Sequence, residues 1–413
     1  MRSTPAGICV LAGLLAGTLL TGCGGSGGGG GATGAPPPPS LSATATATSA
    51  SASAAPSATS AGTHRPSPAP ATTAPATTAP AAAEPASAGN PGGHAAVPAA
   101  ARAVDTSKPT RTVGDGTPAS CTSAAVVAAV AAGGVITFSC GPRRVVITMK
   151  ATAKVRNASA RVVLDGGGKV TLSGGGRRRI LFMDTCDQAQ GWTTSHCQDQ
   201  STPELTVQNL TFADGDSTGE TAEGGGGGAI LVRGGRFKAV NDRFVRNRCD
   251  RSGPDLGGAA IRVLDQYHDL PVYITASTFG GAPGLGGSCS NGGALSSIGV
   301  SWVVLNSVLT YNSAVGSGAN PARGGTPGGG SGGAVYTDGN LYTVRVEGSL
   351  VAHNDAKEGG GAFFFVSNDR TGTLAVRRST LHANPSHGFS TAGYPGVFFL
   401  GAGRPDVSGS TLD

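Results

Sequence analysis

The segment Gly292-Gly293-Ala294-Leu295, continued by Trp302-Val303-Val304-Leu305-Asn306-Ser307-Val308-Leu309 and closed by Asn312, is one copy of a pattern that recurs from residue 202 onward. With Leu309 as anchor, the equivalent apolar residues are Phe212, Phe244, Phe279, Val351, Leu381 and Leu412. The seven anchors are spaced 32, 35, 30, 42, 30 and 31 residues apart. Seven positions before the anchor stand Leu205, Phe237, Val272, Trp302, Val344 and Leu374. Five positions before it stand Val207, Ala239, Ile274, Val304, Val346, Val376 and Val407. Apolar residues two apart lie on one face of a strand, so these columns predict strands facing a common core.

A second motif alternates with the first: Gly227-Gly228-Ala229-Ile230, Gly257-Gly258-Ala259-Ala260-Ile261, Gly332-Gly333-Ala334-Val335, Gly360-Gly361-Ala362-Phe363 and the looser Pro395-Gly396-Val397-Phe398. Paired glycines permit a sharp corner before a strand restarts. Each period therefore holds at least two strands and two corners, and a third strand would complete one coil of a solenoid. Stacked coils place equivalent residues about 4.8 Å apart. The recurrent Asn247, Asn312, Asn354 and Asn384 and the column Ser277, Ser307, Ser349, Ser379 and Ser410 are then expected to bond up the stack, as structural rather than catalytic residues.

These alternating GGAI-type and FxxN-type motifs resemble the repeats of polymorphic outer-membrane proteins and, more broadly, right-handed parallel β-helix proteins of the pectate-lyase-like superfamily. The likeness covers about residues 119–413. It implies an all-β, right-handed parallel β-helix solenoid whose short N-terminal helix caps the open end of the core. Residues Ser123 to Ala132, N-capped by Ser120 or Thr122, supply that helix, and Val135-Ile136-Thr137-Phe138 reads as the first strand.

Composition agrees. Of 413 residues, 69 are Gly, which disfavours a helical bundle, and no Gly-X-Y period points to collagen. The net charge of +6 comes from dispersed basic residues, apart from Arg177-Arg178-Arg179, so nucleic acid is not an expected partner.

The chain opens MRSTPAGICVLAGLLAGTLLTGC: one Arg, an apolar stretch from Ile8 to Leu20, then Leu20-Thr21-Gly22-Cys23. The apolar stretch is too short for a stable span and fits an export signal. Its end resembles the bacterial lipobox, which implies a signal peptide over 1–22, lipidation at Cys23 and a membrane partner through that anchor. Residues 23–115 are Gly-, Ala-, Thr-, Ser- and Pro-rich and read as a disordered tether, with the β-helix domain over 116–413. Export suits the cysteines. Beyond Cys9 and Cys23, six remain, and neighbour pairing gives Cys121–Cys140, Cys186–Cys197 and Cys249–Cys289.

The chemistry is less explicit. The superfamily's lyases and hydrolases cluster Asp, Glu, Arg or Lys on one sheet face, but motifs such as Asn-Thr-Asp and Gly-His-Gly are absent from this sequence. Asp214, Asp216, Glu220, Glu223, Asp250, Asp255, Asp265 and Asp269 fall in Gly-rich excursions and read as solvated carboxylates, with calcium the one cofactor they leave open. Glu347 is the only acidic residue in the outward positions of the anchor strand, and His353, His382 and His387 sit near corners. In the Gly-Gly-Ala strands the outward column reads Leu231, Arg262, Ser296, Tyr336, Phe364 and Phe398. Tyr336, Phe364 and Phe398, flanked by Asp338, form a candidate aromatic platform for sugar rings or an apolar partner; the competing reading covers it with the excursion 315–330 or slips the register so that Phe364 is core. No catalytic residue is assigned. The leading expectation is a lipid-anchored, non-catalytic surface module on the outer face of a bacterial membrane, binding glycan or envelope protein. The alternative is a polysaccharide lyase or glycosidase, which requires carboxylates, or a carboxylate with Arg or Lys, converging in one groove.

Overall fold

In a computed structural model, residues 87–191, 193–220 and 224–413 are described. The expected signal segment, Cys23 and the tether up to residue 86 lie outside the described residues.

Strands dominate, and every strand-to-strand ladder is parallel. Among the described residues the strands form a sixteen-stranded sheet with a twelve-strand central path, an eight-stranded sheet and a three-stranded sheet. Three successive coils in the middle of the stack contribute to all three. Trp302–Leu305 pairs with Val272–Thr275 before it and Thr343–Glu347 after it. Leu295–Ile298 pairs with Ile261–Val263 and Val335–Gly339. Ser313–Ala314 pairs with Ser288–Cys289 and Asp355–Ala356 in the third sheet. The anchor columns align residue for residue, as in Phe212↔Phe244↔Phe279↔Leu309↔Val351↔Leu381↔Leu412.

The inward columns form one continuous apolar core. Within it the rings of Phe212, Phe244 and Phe279 stack nearly parallel, with centroids 5.1 and 4.6 Å apart. That spacing is the inter-strand spacing, so parallel register enforces the stack. The expected N-terminal helix, α1 (Ser123–Ala132), is present. The Thr122 hydroxyl accepts from Ala125 N, and Val126 and Val130 are buried against the core. The three expected disulfides are the ones observed.

Corners are made in two ways. The first glycine of the Gly-Gly-Ala motif, or the second where an extra alanine follows (Gly258), adopts φ between 54° and 73° at Gly227, Gly258, Gly292, Gly332 and Gly360. The bend between the two arms of the long sheet instead uses left-handed residues at Asn209, Asn241, Ala276, Asn306, Gly348 and Arg378, a column that includes three asparagines.

Both polar columns run as ladders. The backbone N–H of Ser277 donates to Ser307 Oγ, Ser307 to Ser349, Ser349 to Ser379, and Ser379 to Ser410. Asp242 occupies the same column one coil earlier, where its carboxylate accepts from Leu210 N. In the other column Asn354 accepts through Oδ1 from both the backbone and the side chain of Asn312, while its own Nδ2 donates to Leu309 O and Asn384 Oδ1. These amides satisfy corner backbone that has no water to turn to.

The composition places residues 87–115 in the tether, and here the structure differs. Residues 89–104 run along the outer face of the long sheet, and Arg111–Val113 adds a strand beside Gly134–Phe138. Ala95, Ala101, Val97, Leu305, Tyr273 and Val303 form a small apolar cluster under this strap. Composition misled because the strap uses small residues and borrowed hydrogen bonds rather than large apolar side chains.

Asn354→Ala removes acceptors for buried donors and a donor for Leu309 O. Each orphaned buried group costs about 1–3 kcal/mol. Denaturant unfolding is expected to show a loss of at least about 2 kcal/mol, and a loss near zero would show that the ladder does not hold the corner.

Candidate functional site

The outward register of the eight-stranded sheet is as the sequence indicates. Val335, Phe363 and Phe365 face the main core, while Tyr336 and Phe364 face the other way. The rings of Tyr336, Phe364 and Phe398 stack with centroids 4.9 and 5.1 Å apart. They do not, however, present an open platform. Tyr336 is fully buried and Phe364 is 3% exposed, with only Phe398 partly accessible. Asn320, in the excursion 315–330, donates to Tyr336 Oη at 2.6 Å, and Phe389 packs edge-on against Phe364 and Phe398. The column forms a second, outer core, so burial drives its covering and the platform reading is corrected.

The polar neighbours of that column do converge. Two positions further along the strands, the next outward column reads Arg233, Leu264, Ile298 and Asp338. With Asp255, Arg262, Asp265 and Asn368 these residues line an open groove of about 690 Å³. The strands after the Gly-Gly-Ala corners carry Arg262 and Asp338, and the excursions supply Asp255 and Asp265.

Asp338 is pinned from two sides. Asn368 Nδ2 donates to Oδ1 at 2.9 Å, and Tyr336 Oη stands 3.4 Å from Oδ2. Asn320 Nδ2 also reaches Asp255 Oδ1 at 2.7 Å and Asp338 Oδ2 at 3.3 Å, tying the excursion to the groove. Burial, reinforced by the negative charge of Asp255, raises the Asp338 carboxyl above the usual carboxylate range. Burial, together with the nearby Asp269 and Asp199, raises Asp265 in the same way, against the pull of Arg233. Arg262 is 1% exposed, and its Nη1 donates to Ser296 Oγ at 3.0 Å. Burial lowers its guanidinium to about 10, while Tyr336 and Asp255 act in the opposite direction. The groove thus combines three carboxyl groups, two with raised proton affinity, with the Arg233 guanidinium and the Asn368 amide, over the buried guanidinium of Arg262. Such a set suits hydroxyl groups, which both donate and accept.

The remaining candidates have other partners. Glu347 is 2% exposed and forms ion pairs with Arg345 and Arg378. Asp214, Asp216 and Glu220 pair with Arg246, Arg248 and Arg179. His382 and His387 meet Asp413 and Asp355 at 3.0 and 2.8 Å, and His353 lies between the rings of Tyr311 and His382. Among the described residues, no group of three or more His, Cys, Asp or Glu is placed to hold a metal ion. Glu223 lies outside the described residues.

Sequence reasoning singled out Asp338 and the Arg262 column but counted Asp255 and Asp265 among solvated loop carboxylates. The available signal was the second outward column; what hid the site is that excursions of unequal length must fold back onto it. No family model, curated protein or solved structure matches the chain.

A carboxyl whose proton affinity is raised by folding stabilises the fold below the ordinary carboxylate range, and that contribution is lost as pH rises through the raised value. Asp338→Asn is therefore expected to raise the thermal midpoint at neutral pH, with the gain shrinking on acidification toward about pH 3. A difference that stays constant with pH would refute this account of Asp338.

Proposed function

We propose that the chain is an exported, lipid-anchored surface protein whose right-handed β-helix, plugged at its N-terminal end by α1, binds glycan in the groove of Asp255, Asp265 and Asp338. The observation that carries this reading is the convergence of carboxyl, guanidinium and amide groups over one outward strip of the eight-stranded sheet. Sugars offer many hydroxyls at close spacing, and an open groove admits a chain rather than a single small molecule. With three carboxyl groups against two guanidiniums, the lining favours neutral or amino sugars over polyanions. Export is supported by the Leu20–Cys23 motif and by three disulfides, which persist in oxidising compartments.

One observation favours a second reading, glycoside cleavage. Asp265 and Asp338 both retain protons more readily than ordinary carboxyls, as a general acid must, and they line the same groove as a third carboxyl, Asp255, which would supply the ionised partner.

A glycan array with the full chain, followed by a depolymerisation assay on every bound glycan, separates the two. Asp265→Asn and Asn368→Ala are each expected to weaken glycan binding about tenfold or more, roughly 1.4 kcal/mol, without lowering the thermal midpoint below that of the parent. Binding that survives both substitutions would place the ligand elsewhere. Depolymerisation abolished by Asp338→Asn would replace the binding module with an enzyme. Anchoring is tested separately: Cys23→Ser should release the protein from membranes or block its maturation, and unchanged membrane retention would refute lipidation at Cys23.

A further inference from the structure

The strap 89–104 is bound in the manner of a peptide ligand. It touches five successive coils of the long sheet: it starts beside Thr278, turns at Asn90–Gly93 near Asn306 and Gly348, and runs back to the level of Gln208. Two side-chain amides of the sheet face clamp its backbone as a neighbouring strand would. Asn306 accepts from Ala95 N at 2.7 Å and donates to Ala95 O at 3.0 Å. Gln208 accepts from Val104 N at 2.8 Å and donates to Val104 O at 3.0 Å. Between these brackets Lys238 Nζ donates to the carbonyls of Ala100 and Arg102. Beyond them Gly89 N donates to Thr278 Oγ1 and Asn90 Nδ2 to Gly348 O.

The face also selects by size. A Cβ on Gly93 would stand 2.3 Å from Gly348 O and 2.9 Å from Asn306 Oδ1. A Cβ on Gly89 would stand 2.8 Å from the backbone of Ala276. Ala95 and Ala101 are buried, and Val97 packs with Tyr273 and Val303. Side-chain amides that bracket single residues of the strap, with close contacts that admit only small residues, recognise this segment although it adds no strand to the sheet. After Val104, Thr106 Oγ1 donates to Asp165 Oδ2, and the exposed residues Ser107–Pro109 then lead to Thr110, whose N–H donates to Val135 O just before the first ladder begins at Arg111. The strap is thus joined to the solenoid by an exposed connector, with no disulfide of its own.

We propose that the outer face of the long sheet is a peptide-binding surface whose ligand is the sequence 89–104, held here in cis and exchangeable with the same segment of a second copy. The receiving residues Asn306, Gln208 and Lys238 and the donated segment are present in every copy, so the contact is self-complementary between chains. A connector of this length holds the cis segment at an effective concentration on the order of millimolar, so exchange emerges only when cis docking is disabled.

Two complementary full-length variants test this. Gly93→Val cannot seat its own strap but keeps an intact face. Asn306→Ala with Gln208→Ala keeps an intact strap but loses both brackets. Each alone is expected to remain monomeric by light scattering, and their mixture to form a 1:1 heterodimer at least about tenfold tighter than either self-association. A mixture that stays monomeric, with both variants melting near the parent, would overturn the proposal. Hydrogen exchange on the unmodified chain covers the case in which a variant fails to fold. The Ala95 and Val104 amides should exchange together and about a hundredfold faster than those of Trp302–Leu305. Exchange as slow as the ladder strands would show that the strap is an integral part of the fold, not a releasable ligand.

Discussion

Everything in this molecule follows from parallel, in-register pairing between coils. Once one coil's backbone bonds to the next without offset, each side chain must sit about 4.8 Å above its own equivalent. That spacing suits flat rings and amides and punishes unpaired charge. Phenylalanines therefore stack through the main core, asparagines and serines bond upward at the corners, and the outward aromatic column stacks in its turn. Opposite charges solve the same problem on the surface. Arg246 lies over Asp214 and Arg248 over Asp216, each pair 32 residues apart, which is one coil.

The same constraint explains what could be read from the sequence. A column that repeats is visible as a period, and the anchor strands, the Gly-Gly-Ala corners and the two polar ladders all repeat. The Cys249–Cys289 bridge was readable because the two residues fall at equivalent positions of adjacent coils, where stacking brings their Cα atoms to 4.8 Å. Residues that belong to no period were opaque. Asn320 covers Tyr336 from within a long insertion that occurs in one coil, and Phe389 closes over Phe364 from another. The register of the aromatic column was legible; whether water reaches it was decided by insertions without equivalents.

The strap failed for a related reason. Its sequence is rich in Ala, Gly and Pro, and by composition it continues the preceding low-complexity segment. What orders it is a set of partners contributed by the sheet: the Asn306 and Gln208 amides, the Lys238 ammonium and a shallow apolar floor of Tyr273, Val303 and Leu305. Order of this kind belongs to the pair of surfaces and not to either sequence alone. Asn306 shows how economically the fold supplies it. The left-handed bend that turns the chain between the two arms of the sheet favours Asn at that position, and the same side chain is then free to bracket the strap.

A rigid ladder also shapes the groove. The strands hold Arg262 and Asp338 at fixed heights because their backbones are paired on both sides, whereas Asp255 belongs to an excursion tied down through Asn320. The lining therefore has a stiff half and an adjustable half. The stiff half is where burial raises the proton affinity of Asp338, since a group that cannot swing toward water must bear its desolvation. Asn320 also contacts the buried hydroxyl of Tyr336, so the position of Asp255 and the covering of the outer aromatic core share one amide.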